Sequence, residues 1–568
     1  MNEPTRPIHQ PTVERDGSLV AHTVATPTAF KVRARVTIGS RKVIPVIFVP
    51  GIMGSNLRMR ATVKSSDDGL IKPGMAAWRP PNGAYDSYNE AALWERRSPA
   101  ERQQILDAST LEVDSGGELD YPSCALGDAV LRERGWGEVH ASSYGALLVD
   151  LQRNLDKTFQ VSPHGIRKVR QYWRRVMQCE PERWGVRSVT AITEAELEKY
   201  AAFQYPVYAF GYNWLESGAV AARQLRERID TIKKFWTDRK HECRKVILVT
   251  HSMGGLVARA CARSSASVSS AASDIAGIVH AVMPALGAPI AYRRIACGTE
   301  GGKFSNGPLD NFKAWKFSQV AGTTSAETTP IMAAAPGVLQ LLPNHLYPRP
   351  WVLIKTVRKV NHQEQVRDLL ALPDGNPYDF YRDLTSWYRM IDPRLADPAS
   401  KYKDHPNGIT PQIVASIDEA ERFHIRDLMV DDGKSGAQKP YYHPNTYAFY
   451  GADTSLKAYG QIRWAARESG AGGVALTPAN IRAARQIAHH NDGAREVEVA
   501  KGLHLRFAIW PQDAHGDETV PSLSASAVEK HARVIFAPKG FRHQDSFQHE
   551  DMLLLTRHLI VKIVQDVT

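Results

Sequence analysis

The sequence is short of several things, and each shortage removes a class of function. No apolar run approaches the ~18 residues that a membrane-spanning helix needs, so no span is expected. Only five cysteines occur among 568 residues (Cys124, Cys179, Cys243, Cys261 and Cys297), odd in number, widely spaced and without a Cys-x-x-Cys pair. Neither a disulfide framework nor a zinc site is implied, and buried reduced thiols are expected. No His-Glu-x-x-His pattern is present, and Asp67-Asp68 and Asp431-Asp432 read as turn or surface acids rather than a calcium site. No metal and no cofactor are therefore expected. The segment Met1 to Asp16 is polar and lacks the apolar core of a Sec-type signal peptide, which predicts synthesis as a cytoplasmic chain. No nucleic-acid motif accompanies the formal charge of +11 from 71 basic and 60 acidic residues, and that charge is spread along the chain. It excludes a dedicated nucleic-acid reader and leaves attraction to an anionic membrane surface as a secondary inference.

What is present organises itself around one stretch. Val246-Ile247-Leu248-Val249-Thr250 is a β-branched and aliphatic run bounded by polar residues, which reads as a fully buried parallel strand. Met253, Leu256, Val257, Ala260 and Cys261 then recur at helical spacing, with Arg259 and Arg263 off that face. Ser252 falls on the turn between strand and helix. A hydroxyl held there projects from the carboxyl end of the sheet over a helix N-terminus, the position of a nucleophile in the pattern Gly-x-Ser-x-Gly. Thr250 replaces the first glycine and Gly254 keeps the second.

Other segments follow the same strand-helix logic. Val43 to Val49 reads as a buried strand running into Pro50-Gly51-Ile52-Met53-Gly54-Ser55, a turn whose glycines let the backbone approach a substrate. Val207 to Trp214 predicts another strand. Ala221, Leu225, Ile229, Ile232 and Trp236 predict the helix that returns the chain to the Ser252 strand, and Ile275 to Val282 a further strand. Leu503 to Trp510 and Ala532 to Phe536 predict the late strands, and Met552, Leu555, Leu559, Ile560, Ile563 and Val567 line one face of a final helix. The fold expected is α/β, a mostly parallel sheet with helices on both faces and large helical cap insertions. Its parts are a mobile arm at 1–30, a core at 31–59, 205–289 and 503–568, a first insertion over the site at 60–204, and a large cap at 290–502. Lys31 to Ile38 is expected at a sheet edge, a helix near Tyr144 to Phe159, and Trp315, Trp351, Trp387 and Trp464 in the interior of the cap.

Attack of a hydroxyl on a carbonyl needs a base to take its proton and a carboxylate to hold the imidazole. In the α/β-hydrolase arrangement these follow in the order Ser, acid, His, the last two on loops after late strands. Ser252, Asp517 in Gly516-Asp517-Glu518-Thr519-Val520-Pro521, and His543 meet that order. Asp513 competes for the acid, but Gly516 and the chain restart at Thr519 favour Asp517. His549 competes for the base but stands at the start of the final helix. The expected oxyanion donors are the backbone N–H groups of Ile52 and Met253, with Met53 a near alternative to Ile52. His251, His280, His515 and His558 read as structural.

The motifs Val49-Pro50-Gly51-Ile52-Met53-Gly54-Ser55, Arg134-Gly135-Trp136-Gly137-Glu138-Val139, Tyr212-Asn213-Trp214, His251-Ser252-Met253-Gly254-Gly255, Ala335 to Pro343 and Gly516 to Pro521, in that order, resemble the lecithin:cholesterol acyltransferase-like branch of α/β-hydrolases. Among bacterial members the chain looks like the lipase effectors of type VI secretion systems, whose base-bearing segment His543-Gln544-Asp545-Ser546-Phe547 resembles. Departures are Thr250 for glycine and Asn213 for the usual aspartate. The resemblance implies a lipid-ester hydrolase, a phospholipase or lipase, acting peripherally on membrane lipid. It further implies delivery into a rival cell's periplasm, with an immunity protein and a secretion-apparatus adaptor as partners. The alternatives are an acyltransferase or housekeeping esterase of the same fold and, from a different class, a non-catalytic binding protein.

Overall fold

The computed structural model describes residues 12–13, 19–20, 40–63, 70–82, 84–122, 124–161, 167–186, 188–267, 274–300, 318–433, 436–468 and 476–567. The expected edge strand at Lys31 to Ile38 and the acids Asp67-Asp68 lie outside the described residues, as does Trp315 and most of the arm at 1–30. Within that arm Thr12–Val13 pairs antiparallel with Leu19–Val20.

Six strands build the central sheet: β1 (Val46–Val49), β2 (Val207–Ala209), β3 (Val246–His251), β4 (Ile275–Ala281), β5 (Thr446–Phe449) and β6 (Val534–Phe536). Their spatial order is β6-β5-β4-β3-β1-β2, and every neighbouring pair is parallel. Strands in such a sheet are covered on both faces, and β1, β3 and β4 are accordingly buried at every position. Alternate residues supply the two cores. Ile47 and Leu248 face helices α2 (Gly218–Asp238) and α3 (Gly254–Ser267), whereas Phe48 and Ile247 face helices α1 (Ala141–Asn154) and α4 (Glu550–Val564). The chain leaves β1 toward one edge and returns through β3 to build the other. That reversal opens a crevice between β1 and β3 at the carboxyl ends of the strands, where α/β sheets bind ligands.

Several expectations change here. The 60–204 segment is not simply a cover over the site: Trp136, the α1 residues Leu147, Leu148 and Leu151, Trp173 and Tyr200 form one side of the second core. The region 290–502 is not mainly helical. It carries most of a second six-stranded sheet, ordered Gln363–Leu372, Val352–Val360, Ile462–Arg467, Leu503–Ile509, Arg495–Ala500 and Arg485–His489, with one parallel pair. Leu503–Ile509, expected in the core, belongs to this sheet and pairs through Trp464↔Ile509. Its side chains explain the reassignment. His504 and Arg506 face water while Leu505 and Phe507 are buried, the alternation of a strand wet on one face. The core instead takes β5 from inside the expected cap. Trp351, Trp387 and Trp464 are fully buried in the core that the second sheet covers, with Trp387 packed against Trp464 and Phe507. Arg259, expected off the buried face of α3, is itself buried, its guanidinium donating to the carbonyls of Tyr441 and Leu428 and lying over the Tyr442 ring. Cys179, Cys243, Cys261 and Cys297 are buried free thiols, and Cys124 is half-buried. Among the described residues no helix is long and apolar enough to cross a membrane.

Candidate active site

Strand β3 ends at His251, and Ser252 turns the chain into α3 with φ of 50°, the left-handed region that costs energy for any residue with a Cβ. Its N–H donates to the carbonyl of Ala281 at the end of β4, which fixes the turn against the sheet. Close packing makes small residues necessary around it. A Cβ at Gly254 would lie 2.4 Å from the carbonyl oxygen of Pro50, and one at Gly51 would lie 3.1 Å from the Cβ of Ser252. The turn after β1 therefore rests directly on the turn after β3. The amides of Ile52, Met53 and Met253 donate no hydrogen bond among the described residues, which leaves them available to an oxygen beside Ser252.

The other expected residues converge on the same point. His543 Nε2 is 2.9 Å from Ser252 Oγ, and His543 Nδ1 is 2.8 Å from Asp517 Oδ2. A carboxylate only accepts, so Nδ1 carries the proton and Nε2 is left to accept from the serine hydroxyl. Asp517 is itself held, because its Oδ1 accepts from the N–H groups of Thr519 at 3.1 Å and Val520 at 2.7 Å. The two loops are tied by His543 N–H donating to the Asp517 carbonyl at 3.0 Å and by an Arg542–Glu518 ion pair at 3.3 Å. Ser252, Asp517 and His543 are 5%, 1% and 3% exposed. In so dry a place each hydrogen bond is stronger than in water.

The competitors stand elsewhere. Asp513 caps a turn, accepting from the amides of Gly460 and Gln461. His549 precedes α4, and its Nδ1 is buried without a hydrogen-bond partner among the described residues. Asp431 accepts from Gly433 N–H as a turn acid, and among the described residues no cluster of three His, Cys, Asp or Glu could hold a metal ion. A cavity of about 800 Å³ between Tyr121, α1 and Tyr172 contains none of these side chains.

Residues 195–306, which contain β2, β3, β4 and Ser252, match the PGAP1-like alpha/beta domain family. A chain of the solved Tle4–Tli4 complex has a similar fold, with a TM-score of 0.71 and 27% identity, over 92% of this chain and 99% of that one. None of the curated proteins is a significant sequence match. The chain folds as an α/β-hydrolase. It resembles the type VI lipase effectors in its motifs and a chain of the Tle4–Tli4 complex over nearly its whole length.

The two departures from the hydrolase motifs have local explanations. Thr250 is fully buried, and its hydroxyl lies 3.0 Å from His280 Nδ1 and 3.4 Å from the Val279 carbonyl, so β4 supplies partners that a glycine would not need. Asn213 uses its amide to donate to the carbonyls of Ala108 and Leu111, a neutral clamp where a carboxylate would need a cation. In the sequence His251 reads as a structural residue. In the structure it touches both site loops: its ring is 3.1 Å from Tyr144 Oη and 3.0 Å from the His543 carbonyl. Tyr144, 107 positions upstream, carried no motif that pointed to it.

Proposed function

We propose that this α/β-hydrolase is a serine lipid-ester hydrolase, a lipase or phospholipase. The observation that carries the reading is the hydrogen-bonded series Asp517, His543, Ser252. In that reading Ser252 Oγ attacks the ester carbonyl as its proton passes to His543 Nε2, and Asp517 stabilises the imidazolium. The oxyanion is met by the N–H groups of Met253 and Ile52. Collapse expels the alcohol, which takes the proton from His543, and water then releases the acyl group by the same steps in reverse order. Transfer of the acyl group to an alcohol differs only in the last acceptor.

The role is proposed to be that of an antibacterial effector, delivered by a type VI system into a target periplasm, with membrane phospholipid as substrate. The motif resemblance to such effectors supports this, and the Tle4–Tli4 complex supports a dedicated protein partner; that the partner neutralises the enzyme in its producer, like the secretion-apparatus adaptor, is proposed on the resemblance alone. Ser252 is covered, so aggregated lipid, which offers apolar surface to bury, should open the site better than a dissolved ester.

The test has two arms. Purified protein is treated with a fluorophosphonate and the labelled peptide mapped, and products from mixed phospholipid vesicles are identified by mass spectrometry. Label on Ser252 and release of fatty acid are expected, and an unlabelled, inactive protein would sink the hydrolase reading. Separately, wild type and Ser252→Ala are expressed in a susceptible bacterium with and without a Sec signal. Toxicity is expected only with both the signal and Ser252. A harmless periplasmic wild type would remove the effector role and leave the chemistry.

A further inference from the structure

Beneath the Ser252 series runs a second one. Gly51 N–H donates to Tyr144 Oη at 3.2 Å, Tyr144 Oη lies 3.1 Å from His251 Nδ1, and His251 Nε2 lies 3.0 Å from the carbonyl oxygen of His543. The direction of every bond is forced. The His543 carbonyl can only accept, so His251 Nε2 carries the proton. In a neutral ring Nδ1 then accepts, so the Tyr144 hydroxyl must donate to it and must use its oxygen to receive Gly51 N–H. Burial keeps the ring neutral, holding His251 down to about 3, and pushes the Tyr144 hydroxyl well above its ordinary range.

An imidazole in a packed interior is most often a satisfied core residue. Two things set this one apart. Its partners are the two loops that flank Ser252: at one end the Gly51 turn, from which the Ile52 amide projects, and at the other the backbone of the residue whose ring meets Ser252 Oγ. His543 is thereby pinned on both sides, its N–H by the Asp517 carbonyl and its carbonyl by His251. The pair is also wedged in place. A Cβ at Gly51 would lie 2.8 Å from His251 Nδ1, and one at Gly54 would lie 2.7 Å from Tyr144 Oη.

We propose that Tyr144 and His251 are positioning residues that fix the distance between the oxyanion-side turn and the His543 loop, so that the amide donor meets the carbonyl oxygen while the imidazole meets Ser252 Oγ. Tyr144 comes from α1 in the layer behind the sheet and His251 from the end of β3, so the spacing of the two loops is set by core elements rather than by the loops themselves. The neutral ring adds no positive charge beside His543 when that residue becomes an imidazolium. This inference rests on the hydrolase reading.

Three conservative variants of the full chain test it, each assayed on vesicles of mixed phospholipid after its melting temperature is measured. Tyr144→Phe deletes only the hydroxyl and should lower kcat about tenfold with KM within about twofold, the effect of losing one buried hydrogen bond from the transition state. His251→Asn places an amide near the Nδ1 position and loses the bond to His543, and should lower kcat about 100-fold. His251→Gln reaches the Nε2 position and should retain several times more kcat than His251→Asn. Variants that melt earlier but whose folded fraction turns over like wild type, or a glutamine no better than the asparagine, would overturn the proposal. Should the wild type itself neither hydrolyse lipid nor take a fluorophosphonate on Ser252, the hydrolase reading falls and this inference with it, a result readily told from the selective one.

Discussion

The two six-stranded sheets in this chain solve different problems. The parallel central sheet is covered on both faces, so water and substrate reach it at the carboxyl ends of its strands, and the residues proposed for chemistry gather where β1, β3 and β4 end. The second sheet is mixed, with His504 and Arg506 on a wet face and Trp387, Trp464 and Phe507 beneath it, and it contributes no side chain to the Ser252 series. In the first sheet a buried interior serves placement, and substitutions at its carboxyl edge should change turnover without changing stability. In the second a buried interior holds up a covering layer, and substitutions there should do the reverse.

Substitutions and one pH titration sharpen or break that contrast. The largest effect is expected at the edge of the central sheet: Ser252→Ala should lower turnover on the order of 10⁶-fold, and His543→Ala by a similar factor, with melting temperatures unchanged. Asp517→Asn should cost about 10⁴-fold, because the imidazole loses the partner that fixes its tautomer. Equal loss in Asp513→Asn, measured on the same lipid, would leave the acid unassigned. In the second sheet Phe507→Ala removes a fully buried ring 4.5 Å from that of Trp387. It should cost about 3–5 kcal/mol in urea titrations, while turnover per folded molecule stays within about tenfold of wild type.

Acid should weaken both sheets together. Burial lowers His251, His280 and His558 to about 3, and His424 and, on the second sheet, His489 to about 4. Because these folded values lie below the unfolded imidazole value near ~6.5, the unfolded chain binds more protons between the two, and stability is lost as the pH falls through that window. Each ring opposes folding there by up to about 1.4 kcal/mol per pH unit. A urea midpoint that stays flat from neutral pH down to pH ~4.5 would mean that these rings are not dry. The smallest effect is expected for His549→Ala, whose turnover should stay within about twofold of wild type.

The legible parts of the sequence were those with a local cause. Ser252 could be read because a β-branched run, a polar turn and a helical apolar stripe follow one another within about 20 residues. That Asp517 and His543 would meet Ser252 could be read because turn residues surround them and they follow it in the order serine, acid, histidine. The second sheet was harder. Its hairpin Val352–Leu372 has Lys355, Arg358, Lys359 and Arg367 among its apolar residues, and such a run is easily read as a helix or loop. Strand β5 is four residues long, Thr446–Phe449, and its burial depends on neighbours from three distant parts of the chain. Leu503–Ile509 is legible as a strand, and its polar alternation, which argues against a doubly covered position, is the signal that puts it in the second sheet. The His251–Tyr144 contact was invisible because it depends on how α1 is laid across the sheet.

The path of the chain between the sheets has a consequence for how the protein can be divided. After β4 the chain lays down the hairpin Val352–Leu372, returns to the centre for β5, leaves again to add Ile462–Arg467 through Leu503–Ile509, and returns once more for β6. The outer layer is therefore stitched through the core. It cannot be cut away as one continuous block, because a deletion from 290 to 502 would also take β5 and separate β4 from β6. A protease nick between the sheets should leave two fragments that stay associated until denatured, and neither sheet should be recoverable as a folded fragment of contiguous sequence. On a ribosome, which supplies the chain in order, the central sheet must wait for Val534–Phe536 before it is complete. The nucleophile turn is made 291 residues before its histidine, so the chain should acquire its proposed chemistry only once the His543 loop has been supplied.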